Sequence, residues 1–222
     1  MGYRFFMRCL VAGATGLVGS ALQKQLLADV RVEKVVTIVR KPSGGAQSKL
    51  NEVKVDFDNL FETNVGEFDA AFCCLGTTIK KAGSQEAFRK VDHDFVLQFA
   101  DLAKRSGARK FLIVTALGAN AKSLIFYNRV KGEVEDDLRR IGFESLVIFR
   151  PSLLLGERSE PRTFERLAIQ LYPVYRRILV GPLAKQTPIH AEDVARAMLE
   201  AAFEPTPKHR VVMNHEMLGM EP

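Results

Sequence analysis

Tyr127 and Lys131 stand four residues apart in a stretch, 124–141, whose apolar spacing predicts a helix. Their side chains therefore leave one helix face a single turn apart. An ammonium beside a phenol favours the phenolate, so the phenol can pass a proton to or from a substrate oxygen near neutral pH. A further hydroxyl would help hold that oxygen, and Thr115, at the end of a predicted strand, is the candidate. Chance Tyr-x-x-x-Lys pairs are common. What gives this one weight is its position, downstream of a glycine turn and directly after a strand that ends in a hydroxyl residue.

That turn is Gly13-Ala14-Thr15-Gly16-Leu17-Val18-Gly19, between a short apolar run and an amphipathic one. Strand, turn and helix in that order make a glycine motif meaningful. Gly13 permits the sharp exit from the strand, Gly16 lets backbone approach a pyrophosphate, and Gly19 allows close helix-to-strand packing. Thr15, Leu17 and Val18 lie at the helix start, where free N–H groups and the positive helix end suit phosphate. The alternative is a tight turn with no ligand, and the first gap is one residue longer than in G-x-G-x-x-G. The second predicted strand ends in Arg40-Lys41 with no carboxylate nearby. An acid there would take the ribose hydroxyls of NAD, whereas guanidinium suits the 2′-phosphate of NADP. The expected cofactor is NADP(H).

Other cofactor contacts follow from strand ends. Asp56 is placed to meet the adenine amino group, with a cap or turn role as its alternative, and Phe57 to pack on the ring. Leu75, Gly76 and Thr77 follow the fourth strand at the edge where ligands lie in open α/β sheets. Pro151 turns the chain after the sixth strand so that Ser152 and Leu153 flank the nicotinamide.

The elements that must position these residues alternate along the chain. Short apolar runs predict strands at 8–12, 34–39, 52–55, 70–74, 110–114, 145–149 and 210–212. Helical spacing marks 17–28, 85–105, 124–141, 163–171 and 191–203. Only fourteen residues separate Val55 from Ala70, so a reduced helical turn is expected at 58–62. The pattern predicts an α/β fold, a Rossmann-type doubly wound parallel sheet in three layers. We expect one domain over 1–222, with a cofactor core at 8–150 and a substrate-side portion at 151–222. Phe88, Phe95 and Phe99 read as core, His93 between two aspartates as solvated, and His190 as a loop residue before a helix. Residues 173–188, with three prolines, look irregular. Arg158, Arg162, Arg166, Arg176, Arg177 and Lys185 make residues 157–188 a candidate roof that favours anionic ligands, or else a solvated lid.

The chain has 222 residues, 47% hydrophobic and 26% charged, with a net charge of +6. Lys and Arg are spread along it, which argues against a nucleic-acid surface. Cys9, Cys73 and Cys74 are too few for a disulfide framework and lack metal spacing; no metal is expected, and reduced thiols point to the cytoplasm. No run reaches the about 18 apolar residues of a membrane span. The small-molecule substrate is unnamed by the sequence, and a second copy or another protein is left open as partner.

GATGLVG, FCCLGTT with KAGSQEAFRKVDHDFVLQFADLAK, YNRVKGEVE and IFRPSLLLG together resemble the atypical branch of the short-chain dehydrogenase/reductase superfamily. The chain is similar in particular to the Tat-interacting, metastasis-suppressor oxidoreductase family and its bacterial relatives, over most of residues 8–156, and more loosely through HAEDVARAML. The resemblance implies a Rossmann fold with bound NADPH and hydride transfer between it and a carbonyl or alcohol. It also implies two departures. Thr115-Ala116 replaces a common pair of serines, and Asp92 stands where many members have Asn. A cofactor-sensing regulatory module is the alternative function.

Overall fold

The computed structural model describes residues 6–45, 47–156, 187–205 and 207–219. The first strand, β1 (Met7–Ala12), leads through the glycine turn into α1 (Leu17–Ala28), followed by β2 (Val32–Val39) and β3 (Leu50–Lys54). A 3-10 turn (Phe57–Glu62) fills the short link to β4 (Ala70–Cys73), as its length requires. Next come α2 (Ile79–Ala82), α3 (Gln85–Arg89), a π turn (Lys90–Asp94) and α4 (Phe95–Arg105). β5 (Lys110–Val114), α5 (Phe126–Ile141), β6 (Ser145–Arg150) and the short β7 (Leu154–Leu155) complete the part before residue 157. After residue 186 lie β8 (Ile189–His190), α6 (Ala191–Phe203), β9 (His209–Met213) and α7 (Asn214–Leu218).

Seven strands form one sheet in the order β3-β2-β1-β4-β5-β6-β9, and every neighbouring pair is parallel. This is the doubly wound Rossmann arrangement, with the order reversing between β1 and β4. Burial on both sheet faces explains the nearly continuous apolar strands. On β1, Cys9 and Val11 join the core under α1 and α6, while Leu10 and Ala12 join the core under α4 and α5. Leu112 and Phe111, on β5, divide in the same way. Phe99, Phe111 and Phe143 stack through the second core, with centroids 5.8 and 4.9 Å apart. Burying each such ring contributes about 3 kcal/mol.

Two expectations change. The helix over 85–105 is not one uninterrupted α-helix, because the π turn inserts an extra residue into it. His93 is also not solvated. It is 7% exposed, with Nδ1 2.8 Å from Asp94 Oδ1 and Nε2 2.9 Å from Asp137 Oδ2 on α5. Both ring nitrogens have partners, which makes burial of a polar ring tolerable. The helix expected at 163–171, the irregular stretch up to residue 186, and the basic roof from Arg158 to Lys185 lie outside the described residues.

Candidate active site

Register brings the sequence-predicted residues to one edge of the sheet. Ala12 pairs with Ile38 on one side and Cys73 on the other, Cys73 with Ile113, and Val114 with Phe149. Gly13, Arg40, Leu75, Thr115 and Pro151 therefore all leave strands at the same carboxyl edge, the side on which such sheets bind ligands.

The glycine turn is held by backbone alone. Gly13 has φ +81, a left-handed conformation that disfavours side chains, and a Cβ there would lie 2.4 Å from the backbone carbon and oxygen of Cys74. A Cβ at Gly19 would fall 2.1 Å from the Gly13 oxygen. Gly16 meets only the Gly13 and Cys74 oxygens, at 3.3 and 3.9 Å, so its outer side is open. Gly16 caps α1 without a side-chain hydrogen bond, and the first turn, with Leu17, Val18 and Gly19, contains no acid. Backbone donors and a positive helix end are thus left for an anion, with exposed Thr15 beside them. The fit to a dinucleotide pyrophosphate is good.

Arg40 and Lys41 are exposed just past Val39. Asp56 caps the 3-10 turn, accepting from Asp58 N at 3.0 Å and Asn59 Nδ2 at 2.7 Å, and these bonds hold its carboxyl below the usual range. The cap role kept as its alternative is the one its hydrogen bonds serve. Phe57 is buried and packs on Phe95, centroids 5.4 Å apart. Pro151 is buried, whereas Leu153 is 37% exposed at the edge.

Helix α5 carries Tyr127 and Lys131 at the edge. The Tyr127 ring rests on Phe88, centroids 5.4 Å apart. Lys131 is buried, and its Nζ approaches Asp92 Oδ1 on the π turn at 2.7 Å. Burial works against the Lys131 charge, yet Asp92 first, then Tyr127 and Cys73, hold the ammonium above its ordinary value. Asp92 Oδ2 also accepts the Thr77 N–H at 2.8 Å. Gly76 passes directly over this pair, since a Cβ there would stand 3.4 Å from Asp92 Oδ1 and 3.8 Å from Lys131 Nζ. Helix α5 and the segment after β4 therefore meet.

Thr115 is buried, and its hydroxyl donates to Glu135 Oε1 at 2.7 Å. Sequence reasoning missed Glu135, which is 1% exposed and also accepts from Arg150 Nε at 3.0 Å. Its signal was present: Glu135 lies one turn beyond Lys131, beside Val130, Val134 and Leu138 on the buried face of α5. The three thiols are free, and burial pushes Cys73 up to about 12.

Comparison with known proteins agrees with this geometry. A family model described as NAD(P)H-binding matches residues 13–205. The chain is 36% identical to HTATIP2 of Rattus norvegicus over 88% of its own length and 81% of that protein. It is 32% identical to FMP52 of Debaryomyces hansenii, over 90% of the chain and 89% of that protein. Among solved structures it is similar to MoeE5 in complex with UDP-glucuronic acid and NAD, with TM-score 0.69 and 17% identity over 92% of this chain and 75% of that one. At that identity the likeness shows the fold alone. The expected cytoplasmic location is overturned, because the FMP52 relatives from four fungi are described as mitochondrial. Among the described residues no helix is long and apolar enough to cross a membrane. The identification as an atypical short-chain dehydrogenase/reductase stands, and the chain belongs to the NAD(P)H-binding family.

Proposed function

We propose that the chain is an NADP(H)-dependent oxidoreductase acting on a carbonyl or alcohol, folded as one domain whose residues 151–222 form the substrate side. The supporting observation is that Lys131, one turn after Tyr127 on α5, meets the Gly76–Thr77 segment through Asp92 at the edge that also holds the glycine turn. The dinucleotide, when bound, supplies or accepts the hydride. Tyr127 gives a proton to the substrate oxygen during reduction and takes it back during oxidation, and Lys131 steadies the phenolate left behind. Gly13, Gly16 and Gly19 keep side chains away from the pyrophosphate, Arg40 and Lys41 take the 2′-phosphate, and Leu75, Gly76 and Thr77 line the path toward the nicotinamide. Pro151 and Leu153 bound the ring from the β6 side. Asp56 and Phe57 bound the adenine end. Thr115, whose hydroxyl donates to Glu135, holds the strand end rather than donating to substrate.

One observation favours a second reading, a dinucleotide-sensing regulator: Ala116 has no hydroxyl, and that of Thr115 is already engaged. A panel of carbonyl compounds followed by NADPH absorbance separates the two. The enzyme reading expects turnover, reduced at least about a hundredfold by Tyr127→Phe, the scale of a lost general acid. Tight NADPH binding with no turnover on the whole panel would favour the sensor.

Cofactor preference has its own test. NADPH is expected to bind tighter than NADH, and Arg40→Ala to weaken NADPH about tenfold to a hundredfold while sparing NADH, the worth of one charged hydrogen-bonding partner. Equal dissociation constants for both dinucleotides, unmoved by the substitution, would remove the NADP assignment.

A further inference from the structure

Asp92 sits at a junction that the sequence marked only as a departure. Two donors face it. The Thr77 N–H comes from the segment after β4, at 2.8 Å from Oδ2, and the Lys131 ammonium from α5, at 2.7 Å from Oδ1. A carboxylate has an acceptor for each, whereas an asparagine has one acceptor and one donor group. Its amide would satisfy either Thr77 or Lys131 and set an N–H against the other. An acid therefore suits both donors at once, as asparagine would not. The π turn that carries it is a helical irregularity of the kind often found at functional sites.

We propose that Asp92 is a positioning and charge-setting residue for the Tyr127–Lys131 pair: its carboxylate fastens the ammonium to the Thr77 segment and offsets the positive charge that reaches the Tyr127 phenol. This rests on reading Tyr127 as the proton donor. Asp92 and Lys131 are both nearly fully buried, so water does little to screen their charges from a neighbour. The groups facing Lys131 are Asp92 from the π turn, Tyr127 from its own helix and Cys73 at the end of β4. Asp92 is the one carboxylate among them. Its charge opposes that of Lys131 at the phenol. It also couples the two halves of the site, because any shift of Gly76 and Thr77 on dinucleotide binding pulls on the group that holds Lys131.

The test is an ultraviolet titration of tyrosinate in the folded protein, without substrate. The chain has four tyrosines, and subtracting the Tyr127→Phe protein isolates one of them. In Asp92→Asn the Tyr127 phenolate is expected to form at a pH lower by about one unit or more, the effect of removing one nearby charge. Asp92→Glu, which keeps the charge, is expected to stay within a few tenths of a unit of the unchanged protein. If Asp92→Asn does not fold, Asp92→Ser removes the same charge and must move the midpoint in the same direction. A midpoint that stays put or rises in the neutral variants overturns the proposal. Because the titration needs no turnover, a chain that reduces no carbonyl at all would defeat the enzyme reading and leave this measurement standing.

Discussion

Gly132→Ala is expected to destabilise the protein by about 3 kcal/mol or more, although alanine is the better helix former by about 1 kcal/mol. Gly132 is interior to α5, directly after Lys131, where propensity alone predicts a gain. The fold decides otherwise. A Cβ at this position would stand 2.0 Å from the Ala121 nitrogen, 2.2 Å from the Asn120 carbonyl carbon and 2.6 Å from the Asn120 Cα. All three are backbone atoms, so no rotamer change relieves the overlap; the loop after β5 or the helix has to move. That loop is also pinned to α5 through Asn120 N donating to Asn128 O at 3.0 Å. Since α5 presents Tyr127 and Lys131, a shift of the helix damages the site along with stability. A urea midpoint and a dinucleotide dissociation constant, measured on the same preparation, read both effects. A midpoint that rises, as helix propensity would have it, would show that the loop does not lie against α5 in this way.

The second large effect concerns Glu135. Removing one member of a buried ion pair costs about 3–5 kcal/mol, because it strands the other charge. In Glu135→Ala the Arg150 guanidinium, 22% exposed, loses the carboxylate that both Nε and Nη2 reach, and the Thr115 hydroxyl loses its acceptor. Arg139, 3.5 Å from Glu135, loses the same carboxylate but keeps Asp136 at 2.7 Å. Replacing both ends, as Glu135→Ala with Arg150→Met, is expected to recover part of the loss, since no charge is then left without its partner. Denaturant midpoints of the two single variants and the double close a mutant cycle. Additive losses would mean that the pair is not coupled.

Much of the scaffold was legible. The apolar runs around Val11, Phe72, Leu112 and Val147 are bounded by glycines or charges, so their strands could be placed from composition. Even the 3-10 turn at Phe57–Glu62 followed from arithmetic, because too few residues were present for a crossover helix. The start of β2 was less clear. The predicted strand opens at Lys34, yet Val32 already pairs with Met7 of β1. The glycine turn and the Tyr127–Lys131 spacing were visible because both are local patterns.

What escaped the sequence is what depends on distant partners. His93 between two aspartates looks solvated until Asp137, 44 residues later, is seen to receive its second nitrogen. The π turn was hidden because Phe88, Asp92, Val96 and Phe99 keep helical spacing through it. Thr115 looked free for substrate because nothing nearby in sequence announces Glu135, 20 residues on, as its acceptor. Each of these is a buried polar group whose partner the chain supplies only after folding.

The glycine turn also has a consequence for the life of the molecule. Its shape depends on Gly13 lying against Cys74, which are neighbours only because β1 and β4 pair side by side. An incompletely folded chain therefore offers a dinucleotide nothing to bind, and ligand adds its free energy to the finished state alone. At a concentration one hundred times the dissociation constant that is worth about 2.7 kcal/mol. The steady-state amount of this protein should therefore rise and fall with the cofactor pool around it, because quality-control proteases take whatever fraction of chains is left open.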